Sequence, residues 1–306
     1  MAPQAPALAL SARGVRMEYV DQATGERLLA IDRVDIAIPD GQFLSIVGPS
    51  GCGKSTFLKI VNGLFPATDG RIEIHQHGAG APDAMVFQDS SLFPWYSVTD
   101  NVAYGLVCRG VPKREARQRA KPYIDLVGLT GFEGKFPYQL SGGMQQRVNL
   151  ARALTVDPEI LLMDEPFAAL DAQTRELMQA ELLRIWNEAS KTVLFITHQI
   201  DEAIYLSDRV LVMSARPGRI LADITIALPR PRRLEIKRSP EFIRYADQIW
   251  GLIAKQLRPE SPVAEGGDGA VRVPHDPNSP AHTVGMNPGA RAGGPDRTGG
   301  HGRPSA

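Results

Sequence analysis

The segment Gly48-Pro49-Ser50-Gly51-Cys52-Gly53-Lys54-Ser55-Thr56 constrains this chain more than any other. A glycine, four residues and then Gly-Lys-Ser follow a short apolar run, Phe43–Val47, and open a stretch of helical character, Lys54–Val61. Glycines let a backbone wrap until its N–H groups face phosphate oxygens. The helix that follows aims the positive end of its dipole at the same anion. A loop of this kind works as the link between a buried strand and a helix, so it commits the chain to an α/β core that holds a nucleotide. Lys54 is placed to reach the β- and γ-phosphates, and the Ser55 hydroxyl to ligate Mg²⁺.

Further apolar runs repeat the strand signal at 15–20, 29–38, 83–87, 160–164, 193–197 and 209–213, which predicts a largely parallel sheet. Between 98 and about 153 helical patterning dominates and strand signals vanish, which predicts an inserted helical subdomain over about 92–153. Pro122 interrupts the run 113–127, where a break or kink is expected. Residues 172–189 carry Met178, Leu182, Ile185 and Trp186 on one helical face, with Asp171 as N-cap; residues 241–257 carry Phe242, Ala246, Ile249 and Ile253 likewise. The expected division is an N-terminal extension over 1–14, a catalytic domain over 15–228, a helical appendage over 229–258 and a tail over 259–306. The tail is rich in glycine and proline and lacks aromatics, so disorder is expected there.

Lysine plus arginine and aspartate plus glutamate balance at 34 each, so no global field favours nucleic acid. Two cysteines, Cys52 and Cys108, are too few for a disulfide framework and fit a reducing compartment. The first ten residues lack a basic segment and contain two prolines, unlike a signal peptide. The apolar runs fall far short of the roughly 20 residues that span a bilayer.

Two further motifs surround the phosphate loop. The strand-like run Ile160–Asp164 ends in Asp164-Glu165; beside a phosphate loop, the first acid is placed for the Mg²⁺ shell and the second to activate water. Leu140-Ser-Gly-Gly-Met-Gln-Gln-Arg147 sets a serine and two glycines at a helix start, a second anion-binding N-terminus. One nucleotide has no need of two such sites in one chain, so Ser141, Gly142 and Gly143 are expected to close over the ATP held by another copy.

With these motifs in this order the chain resembles ABC-type ATPases over about 15–228. The resemblance implies a P-loop nucleotide-binding domain with an antiparallel β subdomain, a RecA-like parallel-sheet core and an inserted helical subdomain. It implies that Tyr19 stacks on adenine, that Gln88 touches Mg²⁺ and the attacking water, and that Ser141 to Gly143 are the signature completing the opposite protomer's site. It also implies that Glu165 is the catalytic base, Asp171 the acid of the loop after it, and His198 the switch histidine on the γ-phosphate. The chain departs from the common pattern at Met144, where many members have glutamine, and at Gln199, where importers often carry aspartate. Ser141-Gly-Gly-Met-Gln-Gln-Arg147, Leu92-Phe-Pro-Trp95, Asp164-Glu-Pro-Phe167 and Ala215-Arg-Pro-Gly-Arg219 together resemble the nitrate/sulfonate/taurine group of bacterial importers. That resemblance implies an ATP-hydrolysing homodimer on the cytoplasmic face of the inner membrane, driving separate permease subunits fed by a periplasmic solute-binding protein. The alternatives are a soluble ABC-type ATPase acting on DNA or ribosomes, and an exporter ATPase. Fewer than a hundred residues separate phosphate loop and signature, too few for the coiled coil of a chromosome-structuring ATPase.

Overall fold

The computed structural model describes residues 7–257, apart from 22, 77–79, 89–90, 169 and 190. The expected tail over 259–306 and the first six residues lie outside the described residues. Two sheets carry the fold. Strands β1 (Leu8–Val20), β2 (Arg27–Pro39) and β4 (Asp69–Ile74) form an antiparallel sheet in the order β2-β1-β4. Strands β3 (Phe43–Val47), β5 (Asp83–Val86), β6 (Ile160–Asp164), β7 (Thr192–Ile196), β8 (Arg209–Met213) and β9 (Ile220–Thr225) form the second, in the order β5-β6-β7-β3-β8-β9. All neighbours in it are parallel except β9, which returns antiparallel on β8. The expected antiparallel subdomain and mainly parallel core are both present.

The central strands are apolar throughout because both of their faces are covered. In β3, Phe43 and Val47 join a core on one side of the sheet with α4 (Gly142–Thr155), α5 (Ala172–Ala189), α6 (Ile200–Leu206) and α7 (Pro240–Leu257). Leu44 and Ile46 join a second core on the other side with α1 (Lys54–Val61) and the antiparallel sheet, through Phe57, Leu58, Val15 and Ile31. This is the period-two alternation of a strand, with apolar residues on both sides of it. Ser45 is the buried exception, and its hydroxyl is paired with that of Ser207.

Helices α2 (Val98–Cys108), α3 (Lys113–Leu126) and α4 pack on one another between β5 and β6 in the chain, where the helical insertion was expected. Two expectations need correction. Helix α3 has no break at Pro122, which lies inside it. Its buried stripe of Ala116, Ala120 and Ile124 packs against the neighbouring helices, which offsets the one hydrogen bond that proline cannot donate. The boundary between residues 14 and 15 falls inside β1: Leu8 to Ala12 pair with the end of β2 and with β4, and Ala9, Leu10 and Ala12 are buried. At the other end, α7 presents Phe242, Ile249 and Ile253 to the core, the stripe that its sequence periodicity predicts.

Candidate nucleotide site

Strand β3 stops where its backbone must pass a neighbour. A methyl group on Gly48 would lie 2.7 Å from the Met213 carbonyl oxygen and 3.2 Å from Cys52 Sγ, so only glycine fits between β3 and β8. Gly51 and Gly53 have φ of 74° and 102°, in the left-handed region that favours glycine. The loop thereby folds back over the start of α1. Lys54 is buried, and its Nζ donates to the carbonyl oxygens of Gly48 and Pro49 at 2.9 and 3.0 Å. The loop thus holds its own cation inside its curve, where its charge also acts on Asp164. Cys52 is also buried, and burial raises its thiol pKa, so it serves the loop as a small apolar group.

The acidic side of the site hangs on the ends of β6 and β7. Asp164 Oδ1 accepts a 2.8 Å hydrogen bond from Ser55 Oγ. Burial, with the charge of Glu165 beside it, raises the Asp164 carboxyl above the usual carboxylate range despite that bond. The Ser55 hydroxyl and the charges of Lys59 and Lys54 do not outweigh that burial, and a divalent cation would supply the missing positive charge. Among the described residues no cluster of three or more histidine, cysteine, aspartate or glutamate side chains forms a cage for a metal. One hydroxyl and one carboxylate, with phosphate oxygens and water completing the shell, is the donor set that suits Mg²⁺.

Glu165 follows directly and sits at φ 44°, a backbone conformation that non-glycine residues rarely hold. Its N–H donates to the Ile196 carbonyl oxygen at the end of β7, at 2.9 Å, which ties the two strand ends together. Its carboxylate Oε2 lies 2.8 Å from His198 Nδ1, so the two side chains named from sequence as base and switch meet directly.

The cavity over the loop is walled by Tyr19, Leu28 and Ala30 from the antiparallel sheet, by residues 50–56, by Glu165 and by Arg216. Tyr19 is partly exposed and its hydroxyl lies 3.3 Å from Thr56 Oγ1. Arg216 was not expected here. Its Nη2 donates to the Gly51 carbonyl oxygen at 3.1 Å, and a bridge between Ile31 and Gly218 carries its segment to the cavity's edge. The Ala215-Arg-Pro-Gly-Arg219 motif was the available signal, although its sequence gives no hint of this position. Gln88 is exposed just beyond β5, whose Val86 pairs with Met163 of β6, so it follows the strand beside Asp164.

Ser141, Gly142, Gly143 and Asp171 do not line that cavity. Ser141 caps α4, its Oγ accepting from Met144 N–H at 3.3 Å, and Ser141 and Gly142 are exposed. Asp171 caps α5, accepting from the N–H groups of Gln173 and Thr174 at 3.1 and 3.0 Å. Ser141 and Gly142 at the start of α4 therefore face outward, with Gly143 buried behind them.

The sequence matches the ABC transporter family over residues 31–168. It is 49% identical over 238 residues to the taurine import ATP-binding protein of Rhizobium johnstonii, covering 75% of this chain and 90% of that one. The chain belongs to the ABC transporter ATP-binding proteins. It is also 44% identical over 235 residues to the nitrate import ATP-binding protein of Synechocystis, covering 74% of this chain and 88% of that one. Among solved structures it is similar to the dimeric post-hydrolysis state of the ATP-binding cassette MJ0796 bound to ADP and Pi. The TM-score there is 0.62 with 31% identity, over 72% of this chain and all of the other. The chain is accordingly an ATP-binding ATP hydrolase, built on the ABC cassette fold that its motifs implied. No helix among the described residues is long and apolar enough to cross a membrane.

Proposed function

We propose that this chain is the ATP-hydrolysing subunit of an importer for taurine, nitrate, a sulfonate or a related small solute. It works as a homodimer on the cytoplasmic face of the inner membrane, under separate permease subunits that receive solute from a periplasmic binding protein. The observation that carries the hydrolytic part is the Glu165–His198 pair at 2.8 Å, beside a phosphate loop that holds Lys54 inside its curve. Tyr19 stacks on adenine, and the residues Gly48 to Thr56 cradle the phosphates, with Lys54 released from two carbonyls towards the β- and γ-oxygens. Ser55, Asp164 and Gln88 hold Mg²⁺, which when bound with ATP offsets charge on the β- and γ-phosphates. Glu165 accepts the proton of the attacking water, and His198 fixes the carboxylate and faces the γ-phosphate. Ser141, Gly142, Gly143 and Asp171 of one copy complete the site of the other, a role supported by the exposure of Ser141, Gly142 and Asp171 outside the cavity, with Gly143 buried behind them against Thr174. The part of the helical insertion around 92–109, which includes α2 and follows Gln88 directly, carries the resulting motion to the permease. The importer assignment rests on the likeness to taurine and nitrate import proteins. That two solutes appear among such similar chains fits a subunit that does not touch the cargo.

Glu165→Gln tests the reading. It keeps the shape of the site and removes the base, so hydrolysis falls by about 10²–10⁴, and an ATP-bound dimer accumulates on size-exclusion chromatography. Turnover that survives at the wild-type rate refutes the assignment. Purification from membranes tests the partners: a multi-span protein that accompanies the chain supports transport, and ribosomes or DNA in its place refute it.

A further inference from the structure

Helix α5 begins where the loop after Glu165 ends, and its first turn carries an arginine with an unusual set of partners. Arg175 Nε donates to the Phe167 carbonyl oxygen at 3.2 Å, and Nη2 to that of Leu170 at 2.7 Å. The third nitrogen, Nη1, donates to Gln199 Oε1 at 3.1 Å. One planar guanidinium therefore grips both ends of the loop leading from Glu165 to Asp171, and also the residue beside His198. All three acceptors are neutral oxygens, so the bonds fix geometry as a clamp, which a fork of fixed shape suits; the guanidinium charge also acts on the buried Glu202 carboxylate of α6.

The loop held in this way touches the outward-facing anion site as well. A methyl on Gly143 would lie 3.2 Å from Thr174 Cγ2, and one on Gly142 would lie 3.9 Å from Leu170 Cδ2. Leu170 and Thr174 flank Asp171, whose carboxylate caps α5. Arg175 thus stands between two sets of residues. Glu165 and His198 serve the ATP held by the same chain, while Ser141 to Gly143 and Asp171 face away from it.

We propose that Arg175 is a positioning residue that couples the two ATP sites of the dimer, by fixing the Phe167–Leu170 turn and Gln199 in one geometry. The inference rests on the site reading above. When the outward site closes on a neighbour's nucleotide, displacement of Leu170 and Thr174 passes through the guanidinium to Gln199 and so to His198. The clamp touches no part of the phosphate loop, so its loss leaves nucleotide affinity in place and reduces turnover.

The test compares Arg175→Ala, Arg175→Lys, Gln199→Ala and the Arg175→Ala/Gln199→Ala double variant in the full-length chain. Measurements are kcat and KM for ATP, binding of a non-hydrolysable fluorescent ATP analogue, and melting temperature. The expected result for Arg175→Ala is a kcat loss of about tenfold or more, as small displacements at reacting groups produce, with analogue affinity within about twofold of wild type. Arg175→Lys stays close to Arg175→Ala, since one ammonium cannot bridge three oxygens. Gln199→Ala, which removes one arm at a half-buried residue, loses a smaller factor in kcat, and the double variant is no slower than Arg175→Ala alone. An unchanged kcat in Arg175→Ala overturns the proposal, as does full rescue by lysine, a parallel loss of analogue affinity, or additive effects in the double variant. If Arg175→Ala does not fold, Gln199→Ala and Arg175→Lys decide: wild-type kcat in both overturns it. A parallel Glu165→Gln control separates the two readings, because turnover that survives there removes the site assignment itself.

Discussion

Asn101 offers a quantitative test of how the insertion is held against the core. It is fully buried in the first turn of α2. Its Oδ1 accepts from the Phe93 N–H at 2.8 Å, and its Nδ2 reaches the carbonyl oxygens of Phe93, Tyr96 and Ser97 at 3.1, 3.0 and 3.1 Å. One amide therefore closes the whole turn through Phe93-Pro-Trp95, and places Phe93 on Tyr104 at a ring distance of 4.5 Å. Asn101→Leu keeps the branched side-chain skeleton, though with bulkier methyl ends, and removes every one of these bonds. The two hydrogens of the amide make its three donated contacts worth two bonds, so with the bond accepted from Phe93 three bonds are lost at about 1 kcal/mol each, and the stranded Phe93 N–H adds up to about 1 kcal/mol after partial hydration, giving about 3–4 kcal/mol. For a domain of this size that lowers the melting temperature by about 6–16 °C. Trp95→Ala is the control: that ring is 67% exposed on the same turn, so its loss costs at most about 0.5 kcal/mol. Thermal denaturation of both variants beside the wild type reads the difference, and an ATP-analogue titration shows whether the phosphate loop is untouched. Equal small shifts in the two variants would refute the claim that Asn101 organises the turn.

Lys54→Ala removes the cation from the phosphate loop, and ATP turnover is expected to fall on the order of 10² or more, with weaker nucleotide binding by equilibrium titration. Wild-type turnover in that variant contradicts the cradle. Asp100 is held below its ordinary pKa chiefly by the hydrogen bonds from Arg117, with the Lys113 charge adding to it. A depressed folded-state pKa gives stability that is present above the unfolded value of about 3.9 and is lost as pH falls through the folded value. Wild type should therefore melt above Asp100→Asn at pH 7, by no more than about 1 kcal/mol equivalent for a pair this exposed, and the gap should close on acidification below pH 4. A gap that is constant with pH refutes the ion-pair account.

Burial decides which strands the sequence reveals. Strands β3, β6, β7 and β8 are covered on both faces, so their residues form short continuous apolar runs, and these are legible without a structure. Strand β4, Asp-Gly-Arg-Ile-Glu-Ile, is an edge strand that is never fully buried, and β9 alternates on the far edge of the other sheet. Neither offers an apolar run, and neither is expected from sequence. The first half of β1 is hidden differently. Its small residues, Ala9, Ser11 and Ala12, carry little signal until a partner some thirty residues later packs on them. The proline in α3 misleads because a single missing donor is weighed without the buried stripe that outweighs it.

The site divides along the same line. The phosphate loop, Asp164-Glu165 and the signature are legible because each does its chemistry through neighbours in sequence. Arg216 and Arg175 are not, because their partners lie elsewhere in the chain: Gly51 for one, Gln199 for the other. Strand order explains how such distant pieces meet. Strand β7 lies between β6 and β3, all three are parallel, and their carboxyl ends share one edge of the sheet. The phosphate loop leaves β3 there, Asp164 and Glu165 end β6, and His198 follows β7 by two residues. The hydrogen bond from Glu165 N–H to Ile196, at the left-handed φ of Glu165, then turns a side chain that would continue the strand toward His198 instead. Asp164 and Glu165 are adjacent, and successive side chains on an extended strand point to opposite faces, so it is this turn that sends the Glu165 carboxylate to His198. The left-handed residue and the unbroken β6–β7 register are thus two parts of one device, which sets Glu165 against His198 right after Asp164.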